Sequence, residues 1–135
     1  MTAVPSLSER LELRYPIVCA PLFLISNVEM MVASARAGIL GGVPALNYRS
    51  HDEFRGALKD IRSQTDRAFA VNLIVHSQYN PRLEEDFEAC IEYEVPALIT
   101  AFGTPASLIE RAHEKGILVF HDAIKLKHPK KAAEA

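Results

Sequence analysis

Five short apolar runs alternate along the chain with segments in which apolar residues recur every three or four positions. Runs of the first kind indicate buried strands, and segments of the second kind indicate amphipathic helices. Strands that alternate with helices favour a parallel sheet, because parallel neighbours need a crossover connection and a helix is the usual one. The pattern therefore predicts an α/β fold built from about five βα units.

Helix-capping residues, prolines and glycines indicate where these elements begin and end. Strands are predicted at 17–20, 39–43, 68–74, 97–101 and 117–120. Helix starts are predicted at Ser26 or Asn27 with a Ser26-x-x-Glu29 capping box, at Ser50, at Asn80 as N-cap with Pro81 next, at Thr104-Pro105, and near Pro129. Gly38 and Gly116 are expected to end helices in the left-handed conformation. The segment from Met1 to Arg14 is interpreted as a lead-in, not a signal peptide.

Length and composition narrow the class of protein. A complete eight-unit βα barrel takes roughly 250 residues, so we expect these 135 residues to be the N-terminal part of a TIM-type (β/α)8 barrel, a single partial-barrel domain over residues 1–135 that stops within its fifth helix. The composition is 49% hydrophobic and 24% charged with a net charge of −2, which predicts a cytoplasmic protein without nucleic-acid or membrane binding. Cys19 and Cys90 lack the spacing of a metal or redox pair and are interpreted as buried thiols.

Ligands of parallel α/β folds bind at the C-terminal ends of the strands. The residues at these ends are small, apolar or neutral: Ala20-Pro21-Leu22, Gly41-Gly42, Asn72, Phe102-Gly103 and His121-Asp122. Such a rim favours a flat, largely uncharged ring. The apolar loop 22–25 needs cover from a ligand or from other loops.

Two of these positions have two interpretations each. The paired glycines could make a tight turn or let a ligand approach the backbone closely. Asn72 could contact a ligand or pair with a neighbouring strand's loop.

Several segments resemble the nitronate monooxygenase family, formerly called 2-nitropropane dioxygenases. They occur in the family's order along nearly the whole chain: Tyr15 to Leu22, the Ser26-Asn27 helix start, Ala37 to Gly42, Thr65 to Leu73, and Phe120-His121-Asp122. The resemblance implies an FMN-binding βα barrel, an oxidoreductase that oxidises nitronates with molecular oxygen.

The resemblance also implies roles for individual residues. Ala20, Pro21 and Leu22, with Leu22 where the family usually has Met, would pass beside the flavin ring, and Asn72 would offer it an amide. Gly42 and His121 are further pocket-lining candidates, with Asp122 expected to orient His121. The family's catalytic histidine follows a later strand, so no catalytic residue is predicted before Ala135, and no metal site is predicted.

The FMN phosphate of βα barrels usually rests on loops after strands seven and eight, so we expect this chain alone to bind FMN weakly or not at all. The strand edges predict self-association or pairing with a missing C-terminal half. Two other functions remain open: an NAD(P)H-dependent flavin reductase of an enoyl thioester or a quinone, and a non-catalytic α/β interaction module, perhaps a doubly wound sheet.

Overall fold

The computed structural model describes residues 4–103 and 106–123. The helices are α1 (Leu7–Leu11), α2 (Val28–Ala37), α3 (His51–Gln64), α4 (Leu83–Glu92) and α5 (Ala106–Glu114). The strands are β1 (Val18–Cys19), β2 (Leu40–Pro44), β3 (Phe69–Ile74), β4 (Ala97–Ala101) and β5 (Leu118–His121), and a 3₁₀ turn spans Ala45–Asn47.

All five strands pair in parallel, and their order in the sheet is their order in the chain. A sheet that adds each new strand beside the last, with a helix in every connection from β1 onwards, forms a half-barrel. This confirms the predicted partial βα barrel and excludes a doubly wound sheet, whose strand order reverses at a switch point.

The concave face of the sheet is lined by small and aliphatic side chains. Leu40, Ala70 and Ala97 pack there against Leu11 of α1. The curvature is strong enough for Ile99 on β4 to reach across β3, so that its Cδ1 would lie 3.2 Å from a Cβ placed on Gly42. Helix α1 thus closes the floor of the half-barrel at the N-terminal ends of the strands.

The convex face carries the larger core, where the sheet packs against the helices. Its largest fully buried side chains include Phe54, Phe69 and Phe87. Gly41 lets α2 approach closely, since an added Cβ would lie 2.9 Å from Ser34 Cβ and 3.1 Å from Met31 Sδ. Helix α2 therefore packs closely on β2.

Each predicted strand boundary differs from the observed one by one residue at most, and β4 is the same in both. Gly38 and Gly116 have positive φ angles of 80° and 73°, as predicted. Helix α1 was not predicted, although Ser6 forms a full capping box with Glu9 that the sequence shows.

Of the two starts predicted for α2, Asn27 is the N-cap, since its Oδ1 accepts the Met30 N–H at 3.0 Å, and the predicted Ser26 capping box is wrong. Helix α4 begins at Leu83, and Asn80 is not its N-cap, because its Nδ2 donates to the Ile74 carbonyl oxygen at 3.2 Å instead. The predicted starts at Thr104-Pro105 and near Pro129 lie outside the described residues.

Only one of the two thiols is fully buried. Cys90 is completely inaccessible, whereas Cys19 on the edge strand β1 is partly accessible, so the prediction of two buried thiols is corrected for Cys19. Within the described ranges, no helix has both the length and the apolar character needed to span a bilayer.

Candidate functional site

A cavity of about 490 Å³ opens on the concave face at the C-terminal ends of the strands. Its size falls in the range of small-molecule sites. Four strands and the segments that follow them supply its lining: Val18, Ala20, Pro21, Asn72, Ile74, Ile99, Ala101, Phe102, Phe120, His121 and Asp122. Among the described residues, this lining contains one carboxylate and no lysine or arginine, so it suits a largely uncharged ligand.

Pro21 and Gly42 pack together on one side of this cavity. A Cβ on Gly42 would lie 3.0 Å from Pro21 Cδ and 3.2 Å from Pro21 N. The missing side chain of Gly42 therefore makes room for Pro21. Of the two open interpretations of the glycine pair, the structure supports neither a turn nor ligand approach at Gly42, and it shows close packing of protein against protein.

The apolar loop after Pro21 is fixed by one distant side chain. Asn47 Oδ1 accepts the Leu24 N–H at 2.8 Å, and Asn47 Nδ2 donates to the carbonyl oxygens of Leu22 at 3.2 Å and Ser26 at 2.8 Å. Ser26 Oγ also accepts the Leu22 N–H at 2.9 Å. These bonds hold Leu24 at a φ of +60°, which is uncommon outside glycine.

The side chains of this loop point outward. Leu22, Phe23, Leu24 and Ile25 are 44%, 64%, 73% and 62% exposed. Leu22 does not line the cavity in the described part of the chain, so the predicted segment reaches the cavity through Ala20 and Pro21. The sequence indicated this apolar loop, but the clamp by Asn47 has no local signal.

Asn72 lies on the cavity side of β3 and is half-buried. Its Nδ2 donates to the Ile99 carbonyl oxygen at 2.9 Å. The amide therefore pairs with a neighbouring strand, close to the alternative that the sequence left open. Its Oδ1 has no protein hydrogen-bond donor among the described residues and is available to a ligand N–H.

His121 borders the cavity, and its ring is held by a neighbouring strand. Its Nδ1 lies 2.9 Å from Thr100 Oγ1, whose hydroxyl also reaches the Phe120 carbonyl oxygen at 3.2 Å. Asp122 contributes its backbone N–H to the Thr100 carbonyl oxygen at 2.8 Å. Thr100, not the expected Asp122, thus orients the His121 ring.

Three aromatic side chains stand on the loops after β3 and β4, beside the cavity. We call His76, Tyr79 and Phe102 the rim cluster. The centroid of the Tyr79 ring lies 5.2 Å from that of His76 and 6.0 Å from that of Phe102. The sequence placed Phe102 at a strand end, but the contribution of His76 and Tyr79 depends on a loop fold that no local pattern predicts.

A second depression of about 550 Å³ lies at the opposite end of the strands, beside α1. Its basic side chains include Arg62, which donates to the carbonyl oxygens of Tyr93 at 3.0 Å and of Asp66 and Arg67 at 3.4 Å and 3.3 Å, and also to that of Glu94. Burial lowers the pKa of this guanidinium. The N-terminal end of a βα barrel serves stability more than chemistry, and Arg62 follows that rule.

In the part of the chain that the structure describes, no cluster of His, Cys, Asp or Glu side chains is arranged to bind a metal ion. No family model matches the sequence.

Known proteins resemble the chain in sequence and in fold. It is 32% identical over 95 residues to a nitronate monooxygenase of Pseudomonas aeruginosa, a match that covers 69% of this chain and 26% of the relative. Among solved structures, FabK from Thermotoga maritima matches with a TM-score of 0.85 at 24% identity, over 98% of this chain and 42% of that one.

Two further structures share the fold. Nitroalkane oxidase from Streptomyces ansochromogenes matches with a TM-score of 0.81 at 21% identity, over 95% of this chain and 45% of that one. The enoyl reductase domain of MlnA from Bacillus amyloliquefaciens matches with a TM-score of 0.69 at 24% identity, over 79% of this chain and 26% of that one. The chain spans about a quarter of the curated relative and less than half of each structure. The solved structures show the fold alone, and on its sequence match the chain belongs to the nitronate monooxygenase family.

Proposed function

We propose that the chain forms part of an FMN-dependent oxidoreductase that oxidises nitronates with molecular oxygen. The observation that carries this proposal is the cavity at the C-terminal ends of the strands, which is largely apolar and presents the Asn72 amide. The sequence relationship to a nitronate monooxygenase supports the choice of reaction. The partners would be a small organic substrate and oxygen, in the cytoplasm.

The residues of the cavity fit a flavin ring. Ala20 and Pro21 would form one wall, with Pro21 fixed by its packing on Gly42. Asn72 has its Nδ2 occupied by Ile99, so its Oδ1 would accept a hydrogen bond from the ring. Both backbone groups of Leu22 are already paired, the N–H with Ser26 Oγ and the carbonyl oxygen with Asn47 Nδ2, so Leu22 would fix the loop that follows Pro21.

FMN held against Ala20, Pro21 and Asn72 would supply the redox chemistry between the nitronate and oxygen. The protein's own contribution is to position both molecules and exclude water. Phe120 and Ile99 extend the apolar wall across which water would be displaced. His121 would shape the pocket, since Thr100 engages its Nδ1. We assign no catalytic base within residues 1–135.

An NAD(P)H-dependent flavin reductase of the same barrel is the competing function. The structures of FabK and of the enoyl reductase domain of MlnA share the fold at 24% identity, a level that supports the architecture alone. The nitronate monooxygenase match at 32% identity favours nitronate oxidation. In the whole protein, oxygen uptake with propane-2-nitronate and without NADH would support our proposal, and activity that requires NADH would support the reductase.

The flavin site is testable on this chain by ¹⁵N-labelled NMR during titration with FMN to millimolar concentration. We expect weak binding, because the phosphate-binding loops of βα barrels follow later strands. The perturbed amides should be those of Ala20, Leu22 and Asn72. Asn72→Leu should abolish these shifts, and Gln64→Leu, which removes an exposed amide on α3, should leave them unchanged.

One result would contradict the proposed flavin site, and another would contradict the expectation of weak binding. Perturbations confined to the opposite end of the strands, around Arg62 and Arg67, would move the site away from the cavity. Tight stoichiometric FMN binding would show that a phosphate site exists within these residues.

A further inference from the structure

We propose that the rim cluster binds a planar, apolar group of the organic substrate. This inference rests on the proposed function, because it assigns the flavin to the cavity and the carbon skeleton of the substrate to the rim beside it. The three rings come from two loops that follow neighbouring strands, β3 and β4. They therefore meet only in the folded chain.

The rim cluster is exposed in the folded chain. Tyr79 is 60% exposed and Phe102 is 55% exposed, and the His76 side chain is also exposed. The rings contact one another at centroid distances typical of aromatic pairs. Contiguous exposed apolar surface of this kind marks binding sites more often than isolated apolar residues do.

The loops present these rings by specific contacts. The N–H groups of Tyr79 and Asn80 both donate to the His76 carbonyl oxygen, at 2.9 Å and 3.0 Å. Asn80 is 1% exposed and anchors the loop through its bond to the Ile74 carbonyl oxygen. The position of Tyr79 is therefore fixed before any ligand arrives.

Phe102 is held in an unfavourable backbone conformation. Its φ angle is +56°, a region in which a bulky residue is a clear outlier. Such conformations concentrate at functional sites. The same residue lines the cavity together with Ile74 and Ala101, so the rim cluster and the cavity form one continuous surface.

The chemistry of the rim cluster selects the ligand group. The rings of Tyr79 and Phe102 are tilted by 55° and those of His76 and Tyr79 by 48°, so the cluster offers both faces and edges. Aromatic ligands prefer edge-to-face or offset contacts with such rings. A planar aryl or conjugated group fits this surface better than a saturated one of equal size.

The test compares two small probes on this chain by NMR titration: benzyl alcohol, which is planar, and cyclohexylmethanol, which is saturated and of similar size. Benzyl alcohol should bind more tightly and should shift the amides of residues 76–80 and 102–103. Tyr79→Leu and Phe102→Leu should each weaken its binding about threefold to tenfold, the range of aromatic pair energies. Tyr15→Leu removes an exposed ring at the other end of the chain's sheet and should change nothing.

Unchanged benzyl alcohol affinity in both leucine variants, or equal affinity for the two probes, would overturn the inference. FMN titration of Tyr79→Leu tests the flavin proposal separately from the inference about the rim cluster. If FMN still shifts Ala20 and Asn72 while benzyl alcohol binding is lost, both proposals stand. If benzyl alcohol binds at the rim cluster but FMN shifts nothing, the flavin proposal fails while the aromatic site remains.

Discussion

Gly42 lies directly against Pro21: a Cβ on Gly42 would approach Pro21 Cδ to 3.0 Å and Ile99 Cδ1 to 3.2 Å. These distances are shorter than ordinary carbon contacts, which lie near 3.5–4.0 Å. The first loop of the site is thus seated in a space that only glycine leaves open. This packing joins the loop after β1 to the middle of β2 and β4.

Gly42→Ala should therefore displace Pro21 and destabilise the chain by about 1–3 kcal/mol, the usual cost of overpacking. Gly56→Ala is the matched control, because a Cβ on Gly56 in α3 meets nothing within 4 Å and should stabilise the helix by about 0.5–1 kcal/mol. Urea unfolding monitored by circular dichroism measures both. Equal stability of Gly42→Ala and the unmodified chain would show that the loop yields without cost.

Asn47→Ala should release the apolar loop 22–25. The side chain makes three hydrogen bonds to that segment, and each contributes about 0.5–1.5 kcal/mol. Hydrogen exchange of the Leu24 amide should accelerate strongly, while that of Leu73 in β3 stays slow. Asn47→Asp keeps the acceptor for Leu24 but loses both donated bonds, so its Leu24 exchange rate should lie between those of the unmodified chain and of Asn47→Ala. A Leu24 amide that stays protected in the alanine variant would contradict the role of Asn47.

Asp86 is a buried carboxylate with two partners. Its oxygens lie 3.0 Å from His51 Nδ1 and 3.1 Å from Arg82 Nε. Asp86→Ala leaves the Arg82 charge without its carboxylate, so we expect a loss of about 3–5 kcal/mol in the free energy of unfolding. Glu84→Ala on the same helical turn removes an exposed pair with Arg111 and should cost less than about 1 kcal/mol. Thermal melts measure both variants, and equal losses of stability in Asp86→Ala and Glu84→Ala would contradict this prediction.

Cys90 predicts a dependence of stability on pH. Burial, and then the nearby Asp86, raise the pKa of its thiol well above the ordinary value of 9.0. The folded state keeps the proton where the unfolded thiol loses it, so this contribution is complete below the unfolded pKa and declines as the pH rises above it. The loss approaches about 1.4 kcal/mol per pH unit.

Denaturant unfolding between pH 7 and pH 10 checks this. The decline in the free energy of unfolding with rising pH should be shallower in Cys90→Ala than in the unmodified chain. Cys19→Ala, which changes a partly accessible thiol, serves as the control and should leave the slope unaltered. Identical slopes in all three proteins would exclude Cys90 as the source.

The strands were predictable because their signal is local. Ala97 to Ala101 is a short, mostly apolar run of the kind typical of buried strands, and it is β4 as predicted. Helix α1 was missed because it is only one turn and a half long, although the Ser6 and Glu9 pair was legible. The packing role of α1 follows only from the three-dimensional structure, in which Leu11 contacts the concave face of the sheet.

The site was predictable in position and less so in contacts. The rule that ligands bind beyond the C-terminal strand ends located Ala20, Pro21, Asn72 and His121, all of which line the cavity. It could not show that Ile99 accepts the amide of Asn72, since that contact joins residues 27 positions apart. Whether these residues contact a flavin stays a prediction.

Arg62 has a consequence for how the sequence can change. Its guanidinium ties together the turns at Asp66-Arg67 and at Tyr93-Glu94, and every acceptor it uses is a backbone carbonyl. The four hydrogen bonds therefore depend on the Arg62 side chain and on the path of the backbone, and not on the side chains of the residues that accept them. A substitution of Arg62 would release both turns at once, whereas a substitution at an acceptor position that keeps the backbone in place would leave the bonds intact.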